Sequence, residues 1–80
     1  MVVDGALYIG DTLLATGRCS LLPDTKPATG SMVGGTHFLL NYDLLTLRLA
    51  TGETLDVVPR RIEHSADKHA ILVFEVAPGS

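Results

Sequence analysis

Through the second half of the chain apolar and polar residues alternate with a period of two. Leu45, Leu47 and Leu49 alternate with Thr46 and Arg48, the chain turns at Ala50-Thr51-Gly52, and Leu55 and Val57 resume the pattern. Successive side chains of a strand point to opposite faces, so this spacing sets one face of a hairpin against a core and the other in water. Matching the two apolar faces chooses the loop. A three-residue loop sets Leu47 opposite Leu55 and Leu45 opposite Val57, whereas a two-residue loop sets Leu47 opposite Asp56. The first register keeps the carboxylate out of the core and predicts a type I turn with Gly52 left-handed at a bulge, with Arg48 near Thr54 and Asp56 on the wet face.

An earlier hairpin is predicted where Leu7-Tyr8-Ile9 and Leu13-Leu14-Ala15 flank Gly10-Asp11. With Ile9 opposite Thr12, Tyr8 falls opposite Leu13 and Leu7 opposite Leu14, which leaves apolar side chains on both faces near the turn. Further on, Ala15, Gly17, Cys19 and Leu21 share a face, so Cys19 is expected to point inward, and Gly17 marks a bend or bulge. From Pro23 to Gly35 no apolar period survives, and we expect one long loop there. His37-Phe38-Leu39-Leu40 is a short apolar segment, either a strand or a single helical turn. Pro59 interrupts pairing and predicts an edge or a bulge that bends the chain into Arg60-Arg61-Ile62-Glu63. The last hairpin closes through Ser65-Ala66-Asp67-Lys68. Its second strand, Ala70 to Val76, is apolar except at Glu75, which suits a strand covered on both faces.

These elements predict an all-β fold: a small barrel, or a two-layer sandwich, of five to six mostly antiparallel strands joined by hairpins, with little or no helix. Closure removes exposed edges and favours the barrel. One domain over residues 1–77 and a frayed tail at 78–80 are expected. With 13 leucines, two Tyr, two Phe and no Trp, the core must be aliphatic, and a stacking platform for a ligand is not expected. Small domains reinforce a limited core with disulfides, a metal or association. The single Cys19 has no partner within the chain, which leaves association as the expected device.

The net charge of -3 contains no basic half: residues 1–56 carry six acidic and three basic side chains, and residues 57–80 carry three of each. That argues against nucleic acid as a partner, because phosphate contacts need clustered Lys and Arg. No apolar run approaches the ~20 residues of a membrane helix, and Met1-Val2-Val3-Asp4 lacks the basic start of a leader. We therefore expect a cytoplasmic protein with no membrane association, and its compactness suggests a stand-alone protein of bacterial or phage type.

Candidate chemistry is sparse. His64 and His69 flank four residues, and a closed hairpin would hold them as a cross-strand pair with Cβ atoms about 5 Å apart, close enough to share a metal. A third ligand is wanting, because Glu63 faces the other way and Asp67 sits in the loop. Cys19, His37 and Asp43 are the residue types of a nucleophile, a base and an orienting acid, but nothing around Cys19 resembles a nucleophile elbow, and no catalytic residue is assigned. The glycine-rich stretch 29–35 lacks the Gly-Lys-Ser/Thr ending of a phosphate loop and any following helix, so it reads as a connection. Arg60 and Arg61 could grip one anion only if the Pro59 bulge brings both to one face; otherwise Glu63 and Asp56 are their expected partners. No cofactor is expected.

Two functions from different classes follow. The first is a non-enzymatic protein-interaction module, self-associating or bound to another protein through Leu45, Leu47, Ile71 and Val73. The second is a small-molecule-binding barrel or small enzyme with a pocket bordered by the 23–35 loop, in which His37, Tyr42, Arg60 and Arg61 serve as polar anchors.

Overall fold

The period-two segments all become strands in the computed structural model, which describes residues 2–22, 28–34 and 37–77. They are β1 (Val2–Ile9), β2 (Thr12–Leu22), β3 (Thr29–Val33), β4 (Leu45–Leu49), β5 (Thr54–His64) and β6 (Ala70–Val76), with a single 3-10 helix at His37–Asn41. The short apolar segment at 37–40 is thus a helical turn. All neighbours are antiparallel, and the sheet closes on itself in the order β1-β2-β3-β6-β5-β4, with β4 returning to β1. The fold is a closed barrel and not a sandwich.

That order consists of two three-stranded meanders, β1 to β3 and β4 to β6, joined edge to edge by the β3–β6 and β4–β1 ladders. It sets β3 and β4 on opposite sides of the ring. The chain between them cannot follow the wall and must cross one open end, and the 3-10 helix lies on this crossing.

The β4–β5 hairpin has the expected register, with Leu45 opposite Val57 and Leu47 opposite Leu55. Gly52 is left-handed at φ 97°. Its N–H donates to the Leu49 carbonyl at 2.9 Å, and the Leu49 N–H donates to the Glu53 carbonyl at 2.8 Å. The β5–β6 turn has the same build. The Lys68 N–H donates to the Ser65 carbonyl at 2.9 Å and the Ser65 N–H to the His69 carbonyl at 3.0 Å. Here Lys68, at φ 65°, occupies the position that glycine holds in the first turn. The closing pair is therefore Ser65 with His69, and His64 lies opposite Ala70, which corrects the expected His64–His69 pairing by one residue. A left-handed lysine costs about 1 kcal/mol and leaves no mark in the sequence.

In the first hairpin Ile9 opposes Thr12 and Tyr8 opposes Leu13 as expected, but Leu7 opposes Ala15. Leu14 is the extra residue of a bulge. Without it the expected register would carry on to set Val3 opposite Arg18 on the inner face. With it Val3 meets Cys19, and Asp4 meets Arg18 on the outside, where the two form an exposed ion pair at 3.6 Å. Burying a guanidinium costs far more than a local bulge, which fixes the choice. A second bulge follows Pro59: Pro59 opposes Phe74 and Arg61 opposes Val73, leaving Arg60 as the extra residue.

The stretch expected as one long loop contains β3, while residues 23–27, 35 and 36 lie outside the described ones, as does the tail at 78–80. Its inward positions are Gly30 and Met32, both buried. A Cβ on Gly30 would come within 2.7 Å of the Phe74 ring and 2.8 Å of Leu21. The strand gives up a side chain so that Phe74 can fill the space, and this erases the alternation that would have revealed it. Inside the barrel the core is aliphatic apart from Phe74, and it includes Leu7, Met32, Leu45, Leu47 and Leu72, all at most 1% exposed. Leu39, from the 3-10 helix, is also fully buried and plugs the crossed end.

Candidate functional site

Because every ladder is antiparallel, the C-terminal ends of β1, β3 and β5 and the N-terminal ends of β2, β4 and β6 meet at one end of the barrel, the end that the 3-10 helix crosses. A helix with three residues per turn sends consecutive side chains in three directions, so only one of Phe38, Leu39 and Leu40 can enter the core. Leu39 does. Phe38 remains 45% exposed and Leu40 36%. Ile9 and Leu13 on the first hairpin, Val33 at the end of β3 and Leu44 before β4 are exposed at the same end. Thus, among the described residues, six of the eight large exposed apolar side chains belong to this end. Such concentration departs from the single scattered apolar residues of an ordinary surface.

Two of the expected anchors arrive here. His37 opens the helix, and its ring centroid lies 5.9 Å from that of His64 at the end of β5, with the planes inclined at 36°. Tyr42 is half-buried against the core, and its N–H donates to the Leu39 carbonyl at 3.4 Å. The histidine that stands beside His64 is therefore His37 and not His69, which stays exposed in the β5–β6 turn.

Arg60 and Arg61 lie on the outer wall instead. The bulge does turn both outward, the condition for joint action, yet each has its own carboxylate. Arg60 Nη2 donates to Glu75 Oε2 at 2.8 Å, and Arg61 Nε lies 3.5 Å from Glu63 Oε2. Asp56 is not the partner of Arg60. The hydrogen bond and charge of Glu75 push the Arg60 guanidinium above its ordinary pKa. Arg61 and Glu63 rim a shallow outer groove of about 220 Å³ floored by Ser31 and Val73. On the other side Arg48 lies over the Tyr8 ring at 4.5 Å, beside an open depression between β1 and β4.

Two of the expected contact residues are corrected: Leu45 and Leu47 point into the barrel at 1% and 0% exposure, because their strand alternates against the interior, and they have no surface to offer. Ile71 and Val73 do face outward, half-exposed. No family model, no curated protein and no solved structure matched this chain. The geometry has to carry the functional argument.

Cys19 faces inward as expected and is fully buried, with Sγ 3.9 Å from the Gly17 carbonyl. Burial, and secondarily the charge of Asp4, push its thiol above the ordinary pKa of 9.0. A neutral, inaccessible thiol is the opposite of an activated nucleophile. A thiol reagent should therefore modify Cys19 only as fast as the protein unfolds; rapid modification of native protein would contradict the buried placement. The same shift sets a pH dependence. In the alkaline range the unfolded chain loses the thiol proton first, so stability falls as pH rises above about 9, by at most about 1.4 kcal/mol per pH unit. Cys19→Ala should flatten this alkaline slope in chemical denaturation; an unchanged slope would assign it to other groups.

The sequence did not single out Phe38 and Leu40 as surface residues or Leu39 as the plug. The available signal was the apolar run at 37–40 placed between two strands that a barrel of this order must hold apart.

Proposed function

We propose that this protein is a non-enzymatic interaction module whose docking surface is the helix-capped end of the barrel and whose partner is a second copy of itself. The observation that carries the reading is the gathering of Phe38, Leu40, Leu44, Ile9 and Leu13 at that end, exposed around a plug that is already seated. Closure leaves little room for association by strand addition, so side chains must supply the contact.

The filled interior favours this over a ligand-binding barrel. Nine large side chains are less than 2% exposed, and among the described residues no polar or charged side chain is buried. Among the described residues the interior offers a molecule neither space nor an orienting group. A stable pairing takes about 800 Å² from each partner, roughly a sixth of the 4,891 Å² accessible surface. A two-fold arrangement would set Phe38 and Leu40 of each copy against the other end face.

Light scattering after size exclusion, over a hundred-fold concentration range, should give twice the 8.5 kDa chain mass at the upper end. Phe38→Glu should return the monomer at every concentration and keep the thermal midpoint that the wild type has at dilutions where it too is monomeric. A wild-type monomer throughout would sink self-association.

A further inference from the structure

We propose that His37 and His64 form a two-histidine binding site for a divalent transition metal such as zinc, nickel or copper, which ties the crossing helix to the end of β5. The two rings come from segments far apart in sequence and lie with centroids 5.9 Å apart and planes inclined at 36°. With Zn–N bonds of about 2.0–2.1 Å, two imidazoles on one tetrahedral ion hold their centroids roughly 5–5.5 Å apart. A shift of less than about 1 Å, with χ rotation of two exposed side chains that turns one nitrogen of each ring toward the ion, completes that geometry. Among the described residues neither ring has a hydrogen-bond or ion-pair partner that would occupy its nitrogens.

Imidazole is a favoured ligand for these ions, and copper and nickel gain most from a nitrogen donor set. No third His, Cys, Asp or Glu joins the pair among the described residues, so water fills the remaining positions and the site is open to solvent. Both ligands come from one chain, so the site needs no second copy, although it lies at the same end of the barrel as the proposed docking surface. A metal held there links the first residue of the plug helix to the last residue of β5. It therefore stabilises the folded barrel as its concentration rises, since the unfolded chain does not hold the two rings together.

The test is thermal unfolding of tag-free protein at neutral pH, with chelator or with up to millimolar zinc, nickel or copper chloride. Wild type and His69→Ala should both gain roughly 5 °C or more at saturation. His37→Ala and His64→Ala should each lose that gain while keeping the midpoint of wild type in chelator. Acid should abolish the wild-type gain, because the metal has to displace ring protons. No shift with any of the three ions overturns the site. So does a gain that survives in His37→Ala or His64→Ala, or one that disappears in His69→Ala.

Discussion

Gly17→Ala is expected to remove about 3 kcal/mol or more of folding stability, the largest effect expected of a methyl group added at any described glycine. A Cβ at this position would overlap the Val33 carbonyl oxygen and lie 3.1 Å from its carbon. The obstacle is backbone, so no rotamer change relieves it, and β2 and β3 have to separate. The contact occurs where the β2–β3 ladder ends: Cys19 opposes Met32, and Val33, still paired with Ile71 of β6, sets its carbonyl against β2 at Gly17. Gly34 follows with φ 100°, its N–H donating to the Ala70 carbonyl at 2.8 Å. Gly17 thus leaves the room that the backbone at the end of β3 occupies. A chain of this length has a margin of about 4–12 kcal/mol, so the variant should be partly unfolded at room temperature or melt roughly 15 °C lower. Gly10→Asn is the control. Gly10 also is a glycine of the first hairpin, but its left-handed turn has nothing within 4 Å of a Cβ, and asparagine tolerates the conformation. Should Gly17→Ala melt within a degree of wild type, the close approach of the Val33 carbonyl to β2 is wrong.

Leu39→Ala should cost about 2–5 kcal/mol, the range for truncating a fully buried leucine where the surroundings cannot collapse. Leu39 is 0% exposed, and among the described residues it is the only member of the buried core that comes from the crossing segment. The strand residues beneath it are held by ladders on both sides and cannot move in to fill the space. Removing the plug also weakens the seating of its own helix, whose 3-10 geometry has little stability of its own. At protein concentrations low enough for a monomer, Phe38→Ala and Leu40→Ala, on the same turn but exposed, should each stay within about 0.5 kcal/mol of wild type. Urea unfolding of the three variants, compared at equal slope, separates a plug from a surface turn. Equal losses at all three positions would mean that the helix is not seated through Leu39.

The β4–β5 hairpin was legible to the residue, because everything that sets it is local: two apolar faces to match and a glycine placed where a left-handed residue is required. The burial of Cys19 was legible for the same reason. The β5–β6 register was missed by one because Lys68 takes the left-handed position without looking like a turn residue. β3 was missed because its inward Gly30 yields space to Phe74, a residue on a strand that pairs with it only after closure. The exposed end face was not legible either. Phe38, Leu39 and Leu40 are equally apolar, and which one is buried depends on how a short turn sits over the barrel mouth.

By itself the sequence determined the class, the hairpins and the inward face of each long strand, since alternation and turn chemistry act between residues that are near neighbours along the chain. Only the tertiary structure decided the ring order, the end that is crossed, the plug and the meeting of His37 with His64. These depend on the β3–β6 and β4–β1 ladders, which join residues distant in sequence and whose free energy comes from closing the sheet as a whole.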